Sequence, residues 1–344
     1  MKTNTKIVCL AVMLAGSVSV TNAAVIFGNS GLSGGSRWDA ATRNIGGNER
    51  SLDGGLRYSL QGGSFQTYRD LFSWQGATPT VNNFKDAVTA SFAAWTIVDP
   101  VSGLSSSLRF TEDLGTAVAG TSNGGGVNTA GAEIDLFGST NATFWNLGNS
   151  RTQGETFFNT SGSTTVTLTS GITGYSGFAI SGADITMNSN VQAKYTLDWF
   201  QLILTHEIGH AIGLGDVDTA GSFGKFIDDN YDGSNNATAL ATLTNSWAGL
   251  VNPLDPSAST GLGLFNVPNA APGVDTTLVD ILMETNIPSV LKGNATPLQN
   301  DDFGGRQFLY PNAVPVPAAV WLFGTGIIGL LMMGARRRRE HGAE

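Results

Sequence analysis

The stretch THEIGHAIGLGD, Thr205–Asp216, decides which fold the chain can adopt. It contains two of the three histidines of the chain, His206 and His210, four residues apart. Positions i and i+4 lie on one face of an α-helix, so both imidazoles can reach one metal ion. Glu207 points to the side of that pair, where its carboxylate can reach a metal-bound water without binding the metal. The pattern predicts a helix that carries two metal ligands and a general base.

Zinc is the metal that this pattern indicates. Zinc lowers the pKa of a bound water from about 16 to about 7, after which a neighbouring carboxylate can accept the proton. The alternative is a buried helix with two hydrogen-bonded histidines. Because the chain has so few histidines, a chance HExxH has a frequency on the order of one in a thousand, which favours the metal site.

A third ligand is expected, because catalytic zinc usually has three protein ligands and one open position. His341 follows a predicted membrane segment and cannot serve. Gly213, three residues after His210, can adopt a positive φ and turn the chain back. Asp216 would then reach the metal through a carboxylate oxygen. Asp218 is the alternative third ligand.

The rest of the chain predicts a domain that mixes helices and strands, of the α+β class. Helical spacing of apolar residues predicts an amphipathic helix over about 83–97, and the mostly apolar stretch Tyr195–Gly213 predicts a long buried helix. Asn300 is expected to cap a last helix over Asp301–Tyr310, with both aspartates in its first turn. Short strands are predicted at Leu56–Leu60, Ser107–Glu112, Glu133–Gly138, Thr164–Ser170 and Ala183–Asn188.

HEIGHAIGLGD resembles the HExxHxxGxxH/D signature of the metzincin metallopeptidases, in the form with a third-position aspartate that snapalysin-like peptidases have. FAAWTIV and LRFTE resemble the first helix and second strand of the matrixin-like branch. EIDLFG and ADITMN resemble its strands before the active-site helix, and LQNDDFGGRQFLYP resembles its closing helix. The resemblance covers most of Leu56–Pro311. It implies a zinc endopeptidase domain over residues 24–312, with a twisted mixed sheet, a buried active-site helix and a small C-terminal subdomain.

ILMETN, Ile281–Asn286, resembles the Met-turn of that family, which implies that Met283 forms an apolar floor beneath the metal. By local pattern alone, a methionine here is core filler. The chain departs from the family in having Asp216 where histidine is usual, which is expected to lower metal affinity and water acidity. No tyrosine follows Met283 closely, so a tyrosine switch is not supported. The segment 217–280 is a long insertion before the Met-turn, expected to lie beside the cleft and shape substrate access.

The insertion contains a pattern typical of calcium loops. IDDNYDGSN places Asp228, Asn230 and Asp232 at alternate positions before Gly233. This is the first half of a D-x-N-x-D-G loop, whose glycine permits a sharp turn. The twelfth position is Ala239 instead of a bidentate glutamate, so the loop is not an EF-hand. A structural Ca²⁺ site and a solvated acidic turn are the two interpretations.

The N-terminus has the pattern of a cleaved secretory signal over residues 1–23. Two lysines precede the apolar run Ile7–Val20, and small residues follow at Thr21–Ala24. Cys9 is the only cysteine and lies in that run. The mature protein would therefore have no disulfide, no cysteine metal ligand and no latency by a cysteine thiolate.

The C-terminus has the pattern of a membrane segment followed by positive charge. Ala318–Ala335 is apolar and just long enough to span a bilayer. Arg336–Arg339 follow at once, so the tail 340–344 is expected to stay cytoplasmic and the main body to face outward. A plain single-span anchor is one interpretation of this segment.

VPVPAAVWLFGTGIIGLL resembles the sorting tail of PEP-CTERM proteins of Gram-negative bacteria, in its VPLPA-like variant, because Val316 separates Pro315 and Pro317. This resemblance covers residues 314–339. It implies export across the inner membrane, transient membrane insertion of the tail, and partners of two kinds, an exosortase-type sorting enzyme and the secretion machinery. The expected location is secreted or cell-surface.

The formal net charge of −9 should repel nucleic acid, so no nucleic-acid partner is expected. Three functions remain. The first is a secreted zinc endopeptidase that acts on a protein or peptide substrate with Glu207 as general base. The second is a non-catalytic surface or biofilm-matrix protein on the same fold, which suits the sorting tail and the glycine-rich composition. The third is an amidase of cell-wall or matrix amide bonds. Glu207 favours an enzyme, since a structural zinc site needs no general base.

Overall fold

A computed structural model describes most of the chain between residues 36 and 310. The described residues are 36–98, 105–119, 129–140, 153–161, 165–167, 169, 175–216, 282–283, 287, 289–294, 297–298 and 300–310, together with the backbone of three further strands at 6–8, 25–27 and 224–226. The chain divides into two units, Met1–Asn312 and Ala313–Glu344, and every described residue belongs to the first.

Helices and strands alternate along the described part of the chain. The helices are α1 Phe65–Arg69, α2 Val81–Ala94, α3 Leu197–Ala211 and α4 Asn300–Leu309, with a 3₁₀ turn at Ser289–Leu291. The strands are β1 Lys6–Val8, β2 Val25–Phe27, β3 Ser36–Trp38, β4 Asn44–Ile45, β5 Asn48–Glu49, β6 Leu56–Leu60, β7 Ser73–Trp74, β8 Phe110–Glu112, β9 Ile134–Ser139, β10 Gly154–Thr160, β11 Thr165–Val166, β12 Tyr175–Ser176, β13 Phe178–Asn188, β14 Lys194–Tyr195, β15 Leu214–Gly215 and β16 Gly224–Phe226.

The main sheet is mostly parallel and has the strand order β1-β10-β13-β9-β6-β8, with β3 also paired to β13. Strands β8, β6, β9 and β13 run parallel to one another, whereas β10 is antiparallel to β13 and β1 is antiparallel to β10. A mostly parallel sheet with few helices agrees with the expected mixing of helices and strands. Strand β1 lies inside the predicted signal segment, so loss of residues 1–23 would leave β10 as the edge strand.

Two helices, α2 and α3, pack on one face of this sheet and enclose the core. The predicted amphipathic helix is confirmed as α2, which begins after Thr80, whose side chain accepts a hydrogen bond from Asn83 N. Its buried face carries Phe84, Val88 and Phe92, the residues whose spacing predicted it. Burial of this apolar stripe fixes the helix against its neighbour.

The second predicted helix is confirmed as α3, and its C-terminal part is buried. Thr196 accepts from Trp199 N at the start, and every residue from Leu202 to Ala211 is buried. Indole Nε1 of Trp95 donates to the carbonyl of Thr205 at 2.8 Å, which fixes the depth of the helix against α2. A buried helical segment is usually apolar on all sides, so His206, Glu207 and His210 stand out as the chemically active residues of this one.

The strand predictions were partly right. Leu56–Leu60 is strand β6, and β9 and β13 include the predicted segments almost entirely. Strand β8 is shorter than predicted, and among the described residues of the predicted segment 164–170, Thr165 and Val166 form a strand. The sequence did not reveal β10, because most of it is buried on both faces and the apolar alternation that marks a half-exposed strand is missing.

Several predictions fall on residues outside the described ones. These are most of the signal segment 1–23, Asp218, the loop of Asp228, Asn230 and Asp232, nearly all of the insertion 217–280, the sorting tail 314–339 and the tail 340–344. Within the part of the chain that the structure describes, no helix has the length and apolar character needed to cross a bilayer. The predicted span 318–335 lies outside that part.

Candidate metal centre

Three buried side chains converge at the C-terminal end of α3. Oδ1 of Asp216 lies 3.2 Å from Nε2 of His206 and 3.1 Å from Nε2 of His210. Each of these residues offers one ligand atom, and the three atoms lie within 4.8 Å of one another. This group could hold a metal ion. Two imidazole nitrogens and one carboxylate oxygen are donors that zinc accepts.

The turn after α3 delivers the carboxylate. Gly213 has φ 103°, a conformation that L side chains rarely adopt, and its N–H donates to the carbonyl of His210 at 2.9 Å. A Cβ at this position would also overlap with the carbonyl oxygen of Ser36. The predicted positive φ at Gly213 is therefore confirmed. Strand β15 follows directly and pairs with β2, and Asp216 is the next residue.

Two aromatic side chains complete the end of the helix. Indole Nε1 of Trp38 donates to the carbonyl of Ala211 at 3.0 Å. The hydroxyl of Tyr310 donates to the carbonyl of Ile212 at 2.6 Å. The Tyr310 hydroxyl also accepts from Trp38 N at 3.0 Å. Carbonyls in the last turn of a helix lack partners inside the helix. These two contacts satisfy them and fix the helix end that carries His210.

The orientation of both imidazoles follows from their hydrogen bonds. Nδ1 of His206 lies 2.7 Å from the carbonyl oxygen of Leu282, and Nδ1 of His210 lies 2.9 Å from that of Leu214. A carbonyl oxygen only accepts, so Nδ1 carries a hydrogen in each ring. The Nε2 atoms are then the ones available for a metal, and both of them face Asp216.

The charges of the three residues are strongly coupled. Burial opposes a charged His206, but the hydrogen bond and the negative charge of Asp216 outweigh it and raise the pKa of His206 to about 9. Burial alone would raise the pKa of Asp216; the charges and hydrogen bonds of His210 and His206 instead hold it well below its usual value. The negative carboxylate of Asp216 is thus compensated by positive charge at the imidazole of His206. A bound cation would take over that compensation.

Glu207 lies beside this group, on the same helix. Its side chain is 4 % exposed, and its Oε2 accepts a hydrogen bond from Oγ1 of Thr156 at 2.7 Å. Burial raises the pKa of Glu207, while the charges of His210 and His206 oppose that rise. The Glu207 carboxylate is therefore close enough to interact electrostatically with His206 and His210, and it is not one of the three converging groups. That is the position expected of a base that acts on a neighbouring water.

Met283 packs against α3 at Gly209, which has no side chain. A Cβ at Gly209 would overlap with Sδ of Met283 and would lie 2.8 Å from Cζ2 of Trp95. Gly209 is the residue between the two ligand histidines that directly precedes His210. The structure therefore places Met283 against the turn of α3 that carries His206 and His210.

Asp302 of α4 holds the turn that supports His206. Its Oδ2 accepts from Leu282 N at 3.0 Å and its Oδ1 accepts from Met283 N at 3.2 Å. The carbonyl of Leu282 in turn accepts from His206. The sequence prediction that Asp302 serves the N-terminus of the last helix missed this role. Both aspartates were expected in the first turn of the helix, and nothing in the local sequence distinguishes Asp302 from Asp301.

Comparison of the chain with protein-family models and with curated proteins found no match. The geometry of the site is therefore the basis for any functional conclusion. That geometry defines a mixed α/β domain with a buried candidate metal centre of two histidines and one aspartate, next to a buried glutamate.

Proposed function

We propose that the protein is a secreted, zinc-dependent endopeptidase of the metzincin type, with His206, His210 and Asp216 as zinc ligands and Glu207 as general base. The observation that carries this proposal is the convergence of two Nε2 atoms on the carboxylate of Asp216. Three protein ligands leave zinc one position for water or substrate, which is the pattern of catalytic sites and not of structural ones.

The chemistry divides between the metal and the protein. Zinc held by these three ligands would make a water acidic and polarise the scissile carbonyl. Glu207 takes a proton from the water as its oxygen attacks the carbonyl carbon. When the C–N bond breaks, Glu207 gives that proton to the leaving amine. Both ligand histidines keep the required tautomer through the carbonyls of Leu282 and Leu214.

The fold supports the family resemblance that the motif suggests. The positive φ of Gly213 and the contact of Met283 with the active-site helix both agree with the metzincin pattern. So does a sheet that mixes parallel and antiparallel strands, because the resemblance implies a mixed sheet. Secretion, the sorting tail and the Ca²⁺ loop remain predictions from the sequence alone.

The test is substitution of Glu207 by glutamine in the full chain. Zinc content should stay equal to that of the wild type. Cleavage of casein or of a peptide library should fall about 10²–10⁴-fold, the contribution typical of a general base. Glu112→Gln, at a part-exposed glutamate paired with Lys85, is the matched control and should cleave normally.

The result also separates the alternatives. A wild-type protein that binds zinc without cleaving peptides would favour the non-catalytic surface protein. Cleavage restricted to cell-wall or matrix amides would favour the amidase. Undiminished peptide cleavage by Glu207→Gln would remove Glu207 from the mechanism.

A further inference from the structure

Thr156 of strand β10 makes the closest polar contact with the proposed base. Its side chain is completely buried, and its register partner on β13 is the core residue Ile185, so it lies on the face of the sheet that α3 covers. Oγ1 lies 2.7 Å from Oε2 of Glu207 and 3.0 Å from the backbone oxygen of Glu207. A hydroxyl has one hydrogen to donate, and the carboxylate oxygen is the nearer and the more negative acceptor.

Gly154, on the same face of β10, makes room for the carboxylate. A Cβ built at Gly154 would lie 2.5 Å from Oε1, 2.7 Å from Cγ and 2.8 Å from Cδ of Glu207. Any side chain there would push the carboxylate away from the strand. Because side chains alternate along a strand, Glu155 points to the other face. Gly154 thus leaves the space that the Glu207 carboxylate occupies, and Thr156 supplies the hydroxyl that donates to it.

We propose that Thr156 is a positioning residue for proton transfer, whose hydroxyl fixes Oε2 of Glu207 so that Oε1 is the oxygen that takes the proton. This rests on the proposed function, since it assigns a role to Thr156 only if Glu207 is the base. A glutamate side chain has several rotamers, and a displacement of about 1 Å in a catalytic group can lower a rate about 10²-fold. A hydrogen bond to an ionised carboxylate is about twice as strong as a neutral one, which suits it to hold a single rotamer.

The experiment compares three variants in the full zinc-loaded protein. Thr156→Val keeps the shape and removes the donor, and Thr156→Ser keeps the donor. Thr186→Val is the matched control, because Thr186 is equally buried on the neighbouring strand and its Oγ1 has no hydrogen-bond partner in the described part of the chain. For Thr156→Val we expect kcat to fall about 10- to 100-fold, with KM and zinc content unchanged. Thr156→Ser should keep kcat within about threefold of the wild type, and Thr186→Val should be unchanged.

A double-mutant cycle tests whether Thr156 acts through Glu207. Glu207→Asp shortens the side chain and withdraws the carboxylate from the hydroxyl, so adding Thr156→Val should lower kcat no further. A further 10-fold loss or more in the double variant would mean that Thr156 acts by another route. If Thr156→Val does not fold, as judged by its thermal transition, Thr156→Ala replaces it in the same comparison.

The two proposals fail differently. If Glu207→Gln cleaves peptides like the wild type, the proposed function itself is wrong. If Glu207→Gln is inactive but Thr156→Val has the wild-type kcat, only the positioning role is wrong. The positioning role is also wrong if Thr156→Ser lowers kcat as much as Thr156→Val does. It is likewise wrong if Thr156→Val changes only KM or only zinc content.

Discussion

Oδ1 of Asp216 lies 3.1 Å from Nε2 of His210, although α3 ends at Ala211, between the two residues. The helix brings the two histidines together through its own periodicity, but the aspartate reaches them only because the chain reverses immediately after the helix. The turn at Gly213 is thus as much a part of the candidate metal centre as the ligands.

Gly213→Ala should therefore disrupt the site as well as the turn. The residue would have to adopt φ 103° with a Cβ that overlaps with the carbonyl oxygen of Ser36. A strained backbone of this kind costs about 1–3 kcal/mol, and the displaced Asp216 should also weaken zinc binding. Urea unfolding and zinc titration measure the two effects. Gly47→Ala is the control, because Gly47 has φ 90° but nothing within 4 Å of its Cβ position. This variant should lose stability through backbone strain and keep the zinc affinity of the wild type. Equal zinc affinity in both variants would contradict the role of the turn.

Asp302→Asn should weaken zinc binding although Asp302 is not a ligand. The carboxylate accepts from two amides of the turn whose carbonyl orients His206, and asparagine can replace only one of those acceptors. Loss of a partner behind a metal-binding histidine typically lowers metal affinity about 10- to 100-fold. The comparison is Arg306→Lys on the same helix, since Arg306 donates to the carbonyl of Ile97 at 2.6 Å. That variant should lose stability but keep its zinc affinity. An unchanged zinc affinity in Asp302→Asn would show that the turn does not depend on this carboxylate.

Zinc binding should release a proton near pH 7. The pKa of His206 in the metal-free protein is raised to about 9, so the ring is protonated at neutral pH, whereas a zinc ligand must be neutral. As the pH is raised toward about 9, deprotonation of His206 alone should increase the apparent affinity for zinc about tenfold per pH unit. Titration calorimetry of zinc binding in two buffers of different ionisation enthalpy gives the number of protons released per zinc bound. No released proton at pH 7 would mean that His206 is already neutral before the metal binds.

Asp184→Asn should flatten the dependence of stability on pH. Burial, and then the charge of Asp135, raise the pKa of Asp184 to about 9, and neither of its carboxylate oxygens has a hydrogen-bond partner among the residues that the structure describes. Between about pH 4 and pH 9 the folded protein keeps a proton that the unfolded chain has released. The free energy of unfolding therefore falls as pH rises through this range, by up to about 1.4 kcal/mol per pH unit.

Urea unfolding at several pH values between about 5 and 9 measures that slope. Asp184→Asn should have a shallower slope and be more stable than the wild type at the alkaline end. Asp86→Asn, at an exposed position on α2, should keep the wild-type slope. Parallel slopes for all three proteins would contradict a buried, protonated Asp184.

The parts of the site that the sequence predicted are those set by local geometry. His206, Glu207 and His210 follow from helical periodicity, and the positive φ of Gly213 follows from glycine's freedom and its place after the helix. The helices α2 and α3 were also predictable, because each has a long apolar pattern. These features need only a few consecutive residues to define them.

The supporting residues could not be found this way, because their contacts join distant parts of the chain. Thr156 lies 51 residues before Glu207, and Asp302 lies 20 residues after Leu282. Strand β10 escaped prediction because burial of both faces removes the alternation that marks a strand. A threonine or an aspartate in such a segment has no local feature that distinguishes a positioning role from ordinary packing.

The role of zinc is tested most directly by a zinc titration of the metal-free protein, with peptide cleavage measured at each step. We expect that a chelator abolishes cleavage and that activity returns in proportion to added zinc, reaching its maximum at one zinc per chain. Glu207→Gln should bind the same amount of zinc without activity, and Asp216→Ala should fail to reach that stoichiometry. Cleavage that survives complete removal of zinc, or that does not depend on Glu207, would contradict the central claim.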